Sequence, residues 1–336
     1  MEFTAGGRLE VRITHADVGK RVSVRYVTNA GDPGGKFTDA VGVLTSWDHA
    51  VVLITRRTGE TVRIAESALV AGKVVPAAPA RRRGPAASFE ELARATARGW
   101  QPVESEALGE WTLRASHGFT RRANSVLPLG DPGLPTDAAL ARVRDWYGQR
   151  GLTPYVQTST GAEGTQELLC AELERRGWRA EVTAEVQVGG LAPVGDLDAD
   201  VSRVRLARDV DEAWLRRYNR FGVAGPHVLS LLSSGPSVWF ASVPGTGGIP
   251  AAIGRCVVDG RWAGFTAVEV DPEQRRQGLA TAVMAALARR ALDEGASAAW
   301  LQVESDNAGA RAMYERMGFA VHHHYHHYRP AEAAGR

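Results

Sequence analysis

Six consecutive residues, Arg275-Arg276-Gln277-Gly278-Leu279-Ala280, put charge, a glycine and a helix start in one place. They follow an apolar segment, Ala267-Val268-Glu269-Val270, and a turn at Asp271-Pro272. Leu279, Val283, Leu287 and Ala291 then recur at helical spacing on one face. A strand that delivers a glycine turn to a helix start builds an anion site. The first amides of the helix have no intrahelical partner, and the helix dipole adds positive potential. Gly278 lets backbone approach a ligand without a Cβ, Ala280 keeps the next turn slim, and two guanidinium groups add charge. A plain strand–helix turn carries the same pattern without any ligand, and only a second signal elsewhere in the chain separates the two.

It comes from residues 306–319. The pattern Gln/Arg-x-x-Gly-x-Gly/Ala at 275–280 resembles the pyrophosphate loop of GNAT-family acyl-CoA transferases, and Asn307, Ala310, Tyr314, Gly318 and Phe319 resemble that family's Asn-x-x-Ala-x-x-x-Tyr-x-x-x-Gly-Phe segment. The resemblance implies acetyl-CoA as co-substrate, its pyrophosphate held mostly by amides of the loop with help from Arg275, Arg276 and Gln277. It implies a strand carrying Val268 and Val270 that splays from its parallel neighbour Leu301-Gln302-Val303, so that the pantetheine arm adds as a further strand. An amide near Val270 would polarise the thioester carbonyl. The resemblance assigns Asn307 a contact with the CoA arm and Tyr314 the proton donated to sulfur. A phenol there can donate while its ring packs on the core. Packing alone is the other reading, because Tyr314 shares a helix stripe with Ala310, Met313 and Met317. Glu304, just past the strand, and Glu269, within the splayed strand, can relay an ammonium proton through water; each is equally readable as a solvated carboxylate. Gln302 stands where some single-copy relatives carry the acid.

These groups need an α/β scaffold, and 336 residues allow two or three domains. The fold class expected is α/β: an α+β GNAT fold with a mixed central sheet, in tandem copies, preceded by a small all-β domain. Residues 1–78 read as five short strands, Val11-Arg12-Ile13 being the first, in an arrangement that resembles an SH3-like barrel. Residues 79–87 read as a linker containing Arg81-Arg82-Arg83, either a solvated charge run or a contact for phosphate, nucleic acid or lipid. Residues 88–190 and 195–330 read as two copies of one unit. Leu173-Glu174-Arg175-Arg176-Gly177-Trp178 echoes Tyr314-Glu315-Arg316-Met317-Gly318-Phe319, each a helix, a glycine stop and an aromatic entering a strand. The first copy has Gly130-Asp131-Pro132-Gly133-Leu134-Pro135 in place of the loop and Leu173 in place of the tyrosine, so one site in the C-terminal half is expected.

Composition narrows the partners. Hydrophobic content of 44% and charged content of 23% are ordinary for a soluble protein. Formal net charge is +2, and residues 1–80 hold ten basic and eight acidic side chains, which gives no strong nucleic-acid footprint. No apolar run reaches membrane-span length and the N-terminus lacks a signal-peptide layout, so a cytoplasmic protein is expected. Cys170 and Cys256 form neither a disulfide framework nor a zinc spacing. His322-His323-His324-Tyr325-His326-His327 places alternate histidines on one face of a strand; a substrate-lining role for one of them fits better than a metal, and no metal is expected. His117 with Arg121-Arg122-Ala123-Asn124 is either an acceptor wall or surface charge. Trp47 and Phe37 are either core or a peptide groove through which the small domain recruits a protein partner. The function expected is N-acetylation of a primary amine, on a small molecule, peptide or protein, by direct attack on the thioester. The alternatives are a non-catalytic acyl-CoA sensor that uses the small domain as adaptor, and transfer of another acyl group.

Overall fold

Alternating apolar residues, glycine turns and capping side chains divide the chain into sixteen strands and eight α-helices among the residues described by this computed structural model, 10–28, 36–76, 84–218 and 225–331. Five strands come first: β1 (Arg21–Val27), β2 (Phe37–Asp48), β3 (Val51–Arg56), β4 (Thr61–Ala65) and β5 (Leu69–Val74). Then follow α1 (Phe89–Arg98), β6 (Glu104–Leu108), β7 (Trp111–Ala115), β8 (Leu127–Pro128), α2 (Thr136–Gly148), β9 (Val156–Thr160), α3 (Glu167–Arg175), β10 (Trp178–Gly190) and α4 (Leu191–Gly195). The C-terminal part holds β11 (Arg205–Ala207), α5 (Glu212–Arg217), α6 (Pro226–Leu232), β12 (Ser237–Val243), β13 (Ala252–Asp259), β14 (Trp262–Val270), α7 (Leu279–Asp293), β15 (Ala298–Glu304), α8 (Ala308–Arg316) and β16 (Ala320–Pro330). Most of the linker with Arg81-Arg82-Arg83 lies outside the described residues.

The chain divides into two compact units, one of residues 1–79, 158–179 and 331–336, the other of 80–157 and 180–330. In the first, the strands form one antiparallel sheet in the order β4-β3-β2-β1-β5. Period-two alternation points Val22, Val24, Leu44, Val52 and Ile54 into its core. The strand expected at 11–13 is only a single bridge, Val11 to Gly72, and the fifth strand is β5 instead. Gly72 explains the difference: a Cβ there would lie 3.0 Å from the Ile13 side chain, so the missing side chain lets the entering segment cross the strand closely. Trp47 packs on the core and stacks on His15, whereas Phe37 is 64% exposed.

An eight-stranded sheet, most of whose residues belong to the second unit, runs in the order β11-β12-β13-β14-β15-β10-β16-β9. The C-terminal half supplies its strands up to β15. The neighbour of β15 is then β10, the last strand of the N-terminal half, paired antiparallel from Ala184 opposite Glu304 to Gly190 opposite Ala298. The last strand of the C-terminal half, β16, lies beyond it beside β9. The two halves have therefore exchanged their final strands. The helix α7, rich in alanine and buried along most of its length, covers β12, β13 and β14. It can lie close because a Cβ at Gly254 would come within 2.5 Å of the Val283 side chain. Helix α1, capped by Ser88 on the Glu91 amide, packs Leu92 and Ala95 against Val188, Trp262 and Trp300. No helix among the described residues is long and apolar enough to cross a membrane.

Candidate active site

The loop expected to bind an anion is a left-handed turn in front of a helix. Asp271 follows β14 with its carboxylate accepting from the Glu273 amide, and Arg217 pairs with the same carboxylate. Arg217 also donates to the Pro250 carbonyl at 2.7 Å, so α5 pins the entry to the loop, and no local pattern signals this tie across 54 residues. Arg276 (φ +63°) and Gly278 (φ +76°) both adopt positive φ, and Gly278 is the N-cap of α7 without any side-chain cap. The amides opening α7 therefore point outward with no built-in acceptor. Residues 275–278 are exposed, Leu279 is buried and Ala280 half-buried. A Cβ on Gly278 would meet nothing within 4 Å, so the glycine is required by backbone conformation rather than by crowding.

The two parallel strands do separate. Pairing of β14 with β15 runs from Trp262 opposite Ala298 to Phe265 opposite Leu301 and stops there, although both strands continue. At the same point β14 carries a bulge. Ile253 faces Glu269 and Arg255 faces Thr266, so Ala267 and Val268 stand opposite Gly254 alone. Ala267 is left-handed at φ +52°. Beyond the bulge Val270 is again in register with Ala252. The irregular backbone is thus at 267–268, at the mouth of the opening.

A cavity of about 510 Å³ occupies this mouth. Val268, Glu304, Asn307 and Tyr314 line it; Glu269 and Val270 are not among its lining residues. Tyr314 is almost fully buried on α8, edge-on to Phe319, and burial pushes its phenol up to about 12. Asn307 caps α8, its Oδ1 accepting from the Ala310 amide at 3.1 Å, which leaves its NH₂ group as the donor available to a ligand. Glu304 ends β15 exposed at the rim. The N-terminal half adds Arg121, Arg122 and Tyr155 to the lining, and the exchanged strand β16 adds Tyr325 and His327. Arg122 ties the halves together through a 3.0 Å hydrogen bond to Gln302. Residues 323–328 are buried on both faces of β16, not on alternate ones, because the strand sits inside the sheet. His326 meets the Thr183 hydroxyl at 2.9 Å, and burial brings its imidazole down to about 4. Among the described residues no group of three His, Cys, Asp or Glu side chains is placed to hold a metal.

Residues 86–328 match the family described as "Probable histone acetyltransferase Rv0428c C-terminal", and residues 16–73 the family described as "Rv0428c N-terminal Sm-like domain". The chain belongs to this acetyltransferase family. The probable histone acetyltransferase Rv0428c of Mycobacterium tuberculosis is 31% identical over 322 residues, covering 95% of this chain and 97% of its own. Two solved structures share the fold: a GCN5-related N-acetyltransferase from Kribbella flavida (TM-score 0.53, 18% identity, 72% of this chain and 95% of that one) and a tandem GNAT protein from the clavulanic acid biosynthesis pathway (TM-score 0.53, 14% identity, 75% and 91%). The enzyme is a GNAT-family N-acetyltransferase with a small all-β domain of Sm-like description at its N-terminus.

The N-terminal half of the acetyltransferase treats its own loop differently. The Asp131 amide donates to the Glu110 carboxylate at 2.7 Å, and the Gly133 amide to the Asp131 carboxylate at 2.7 Å. A Cβ at Gly130 would sit 2.1 Å from Glu110 Oε2. Internal carboxylates occupy this turn, and α2 follows it from an N-cap at Pro135.

Proposed function

We propose that the enzyme transfers acetyl from acetyl-CoA to a primary amine by direct attack, at one site in its C-terminal half. The observation that carries this reading is the opening of β14 from β15 past Phe265 and Leu301, with Tyr314 and the bulge at its mouth and the Gly278 turn at its far end. The residues present fit the co-substrate: uncapped amides with Arg275, Arg276 and Gln277 suit a pyrophosphate, and free strand edge along Val268 and Val270 suits an amide-bearing arm. In this reading Ala267 and Val268 direct backbone N–H groups at the thioester carbonyl, where charge develops in the transition state. Tyr314 gives its proton to the departing sulfur, and Asn307 holds the arm. Glu304, at the rim, takes the ammonium proton through water, and Glu269 supports the edge without facing the cavity. The name of the mycobacterial relative attributes a histone substrate to that protein; for this chain the acceptor is proposed only as a primary amine.

The test is a thermal shift with acetyl-CoA followed by free-thiol release with a panel of amines. Acetyl-CoA at about a hundred times its Kd should stabilise the fold by about 2.7 kcal/mol, and at least one amine should release thiol. No shift with acetyl-CoA would remove the reading.

A further inference from the structure

Of the two arginines that line the cavity, Arg121 is paired with Glu181 and Arg122 has no counter-ion among the described residues. Arg122 spends one N–H on Gln302 and lies over the Trp100 ring at 5.6 Å; among the described residues it meets no carboxylate. Two more arginines are buried within electrostatic reach of it. Arg114 donates to the Ser125 carbonyl and hydroxyl and to Gln157. Arg255 donates to the carbonyls of Leu232, Gly99 and Ser234 and to the hydroxyl of Thr266, which itself faces the cavity. Neither has an ion-pair partner among the described residues. Burial brings them down to about 10 and about 9, so both stay charged at neutral pH. Guanidinium groups withdrawn from water without an anion are costly and leave a strong local field.

His327 stands inside that field. It is 2% exposed, lines the cavity, and neither ring nitrogen has a hydrogen-bond partner among the described residues. The rings of Tyr155 and Tyr325 pack beside it. Burial first, then Arg114, Arg122 and Arg121, keep it neutral. The nearby carboxylates do not cancel the field: Glu181 is held by Tyr155, Arg121 and Arg329, Glu185 by Arg311, and Glu304 lies exposed at the rim. A buried imidazole whose nitrogens meet no protein partner among the described residues, on the same cavity as Arg122, can donate to a group that enters there.

We propose that Arg122 and His327 form the subsite for an anionic group on the acceptor, which is a small primary amine that also carries a carboxylate. The inference rests on the acetyl-transfer reading above. The planar fork of Arg122 matches a carboxylate, and neutral His327 adds one N–H donor. The cavity volume is that of a small-molecule site. The same field repels an ammonium, so the amine is turned toward Glu304 and the opened edge while the carboxylate faces the arginines. A lysine within a basic peptide brings further cations into this field and is disfavoured.

The experiment uses the full chain and acetyl-CoA, following thiol release with free L-amino acids, the matching amino-acid amides and a basic histone-tail peptide. Free amino acids should be acetylated with kcat/KM roughly 30-fold or more above their amides. That ratio should fall toward one in Arg122→Gln. His327→Phe, which keeps an aromatic ring between the tyrosines, should raise KM for the carboxylate acceptor about tenfold. The acetyl-CoA thermal shift of each variant shows that it is folded, and the wild-type ratio stands if a variant is not. Amides or the basic peptide accepted as well as free amino acids, or no carboxylate-bearing amine accepted while acetyl-CoA binds, would overturn the proposal. Failure of acetyl-CoA to bind would instead overturn the transfer reading beneath it.

Discussion

A phenol held at about 12 keeps its proton throughout the neutral range, so in the proposed reaction Tyr314 would act as a standing donor rather than a group that switches. Tyr314→Phe keeps the ring against Phe319 and removes only the hydroxyl. We expect kcat to drop by about 10²- to 10⁴-fold while the acetyl-CoA thermal shift persists; unchanged kcat would leave Tyr314 a packing residue. His326 makes a second, separable prediction. Unfolded, its ring takes a proton below about 6.5; folded, only below about 4. Between those values the unfolded chain binds more protons, so this contribution is complete above about pH 6.5 and is lost as pH falls toward 4, by about 3 kcal/mol. Urea titrations across that range should show a flatter pH profile for His326→Gln than for wild type. Tyr314 and Asn307 were legible in the sequence because their spacing along one short helix is local. Arg122 and its partner Gln302 are 180 residues apart, and nothing local announces that they meet.

At the scale of elements, the cradle depends on a backbone angle and the sheet on a missing side chain. Gly278→Ala forces a Cβ into a left-handed position, costing about 1–2 kcal/mol although nothing crowds it. Gly264→Ala places a Cβ 2.1 Å from the Trp300 ring and should destabilise by about 1–3 kcal/mol through overpacking. Both variants should melt earlier, but only Gly278→Ala should weaken acetyl-CoA, measured by calorimetry; equal affinity in both would detach the turn from binding. Strands with clean alternation, such as β1, and helices stopped by glycine, such as α3 and α8, were read from local pattern. The polar β6 and the short α6 were not, since neither has enough periodic residues to stand out. The bulge was also out of reach. Alanine at φ +52° goes against local preference and is imposed by pairing across Gly254, where α7 comes close.

At the scale of the whole molecule the two halves differ among the described residues. Carboxylates of Glu110 and Asp131 accept from the Asp131 and Gly133 amides in one turn, whereas the Gly278 turn carries no side-chain cap, so the proposed reading expects one acetyl-CoA site. Calorimetry should give one acetyl-CoA per chain; two would mean that the N-terminal half binds as well. The echo between 173–178 and 314–319 made the repeat visible, yet the sheet order was hidden, since identical apolar patterns suit a strand kept within its own half or given to the other. The exchange has a consequence during synthesis. The edge of β10 that Glu304 to Ala298 will cover leaves the ribosome more than a hundred residues before its partner exists. At common translation speeds that is about 5–20 s in which a strand edge stands unpaired. Nascent chains on neighbouring ribosomes present the same edge at the same moment, so the exchange that joins the halves also creates an interval in which one chain can pair with another.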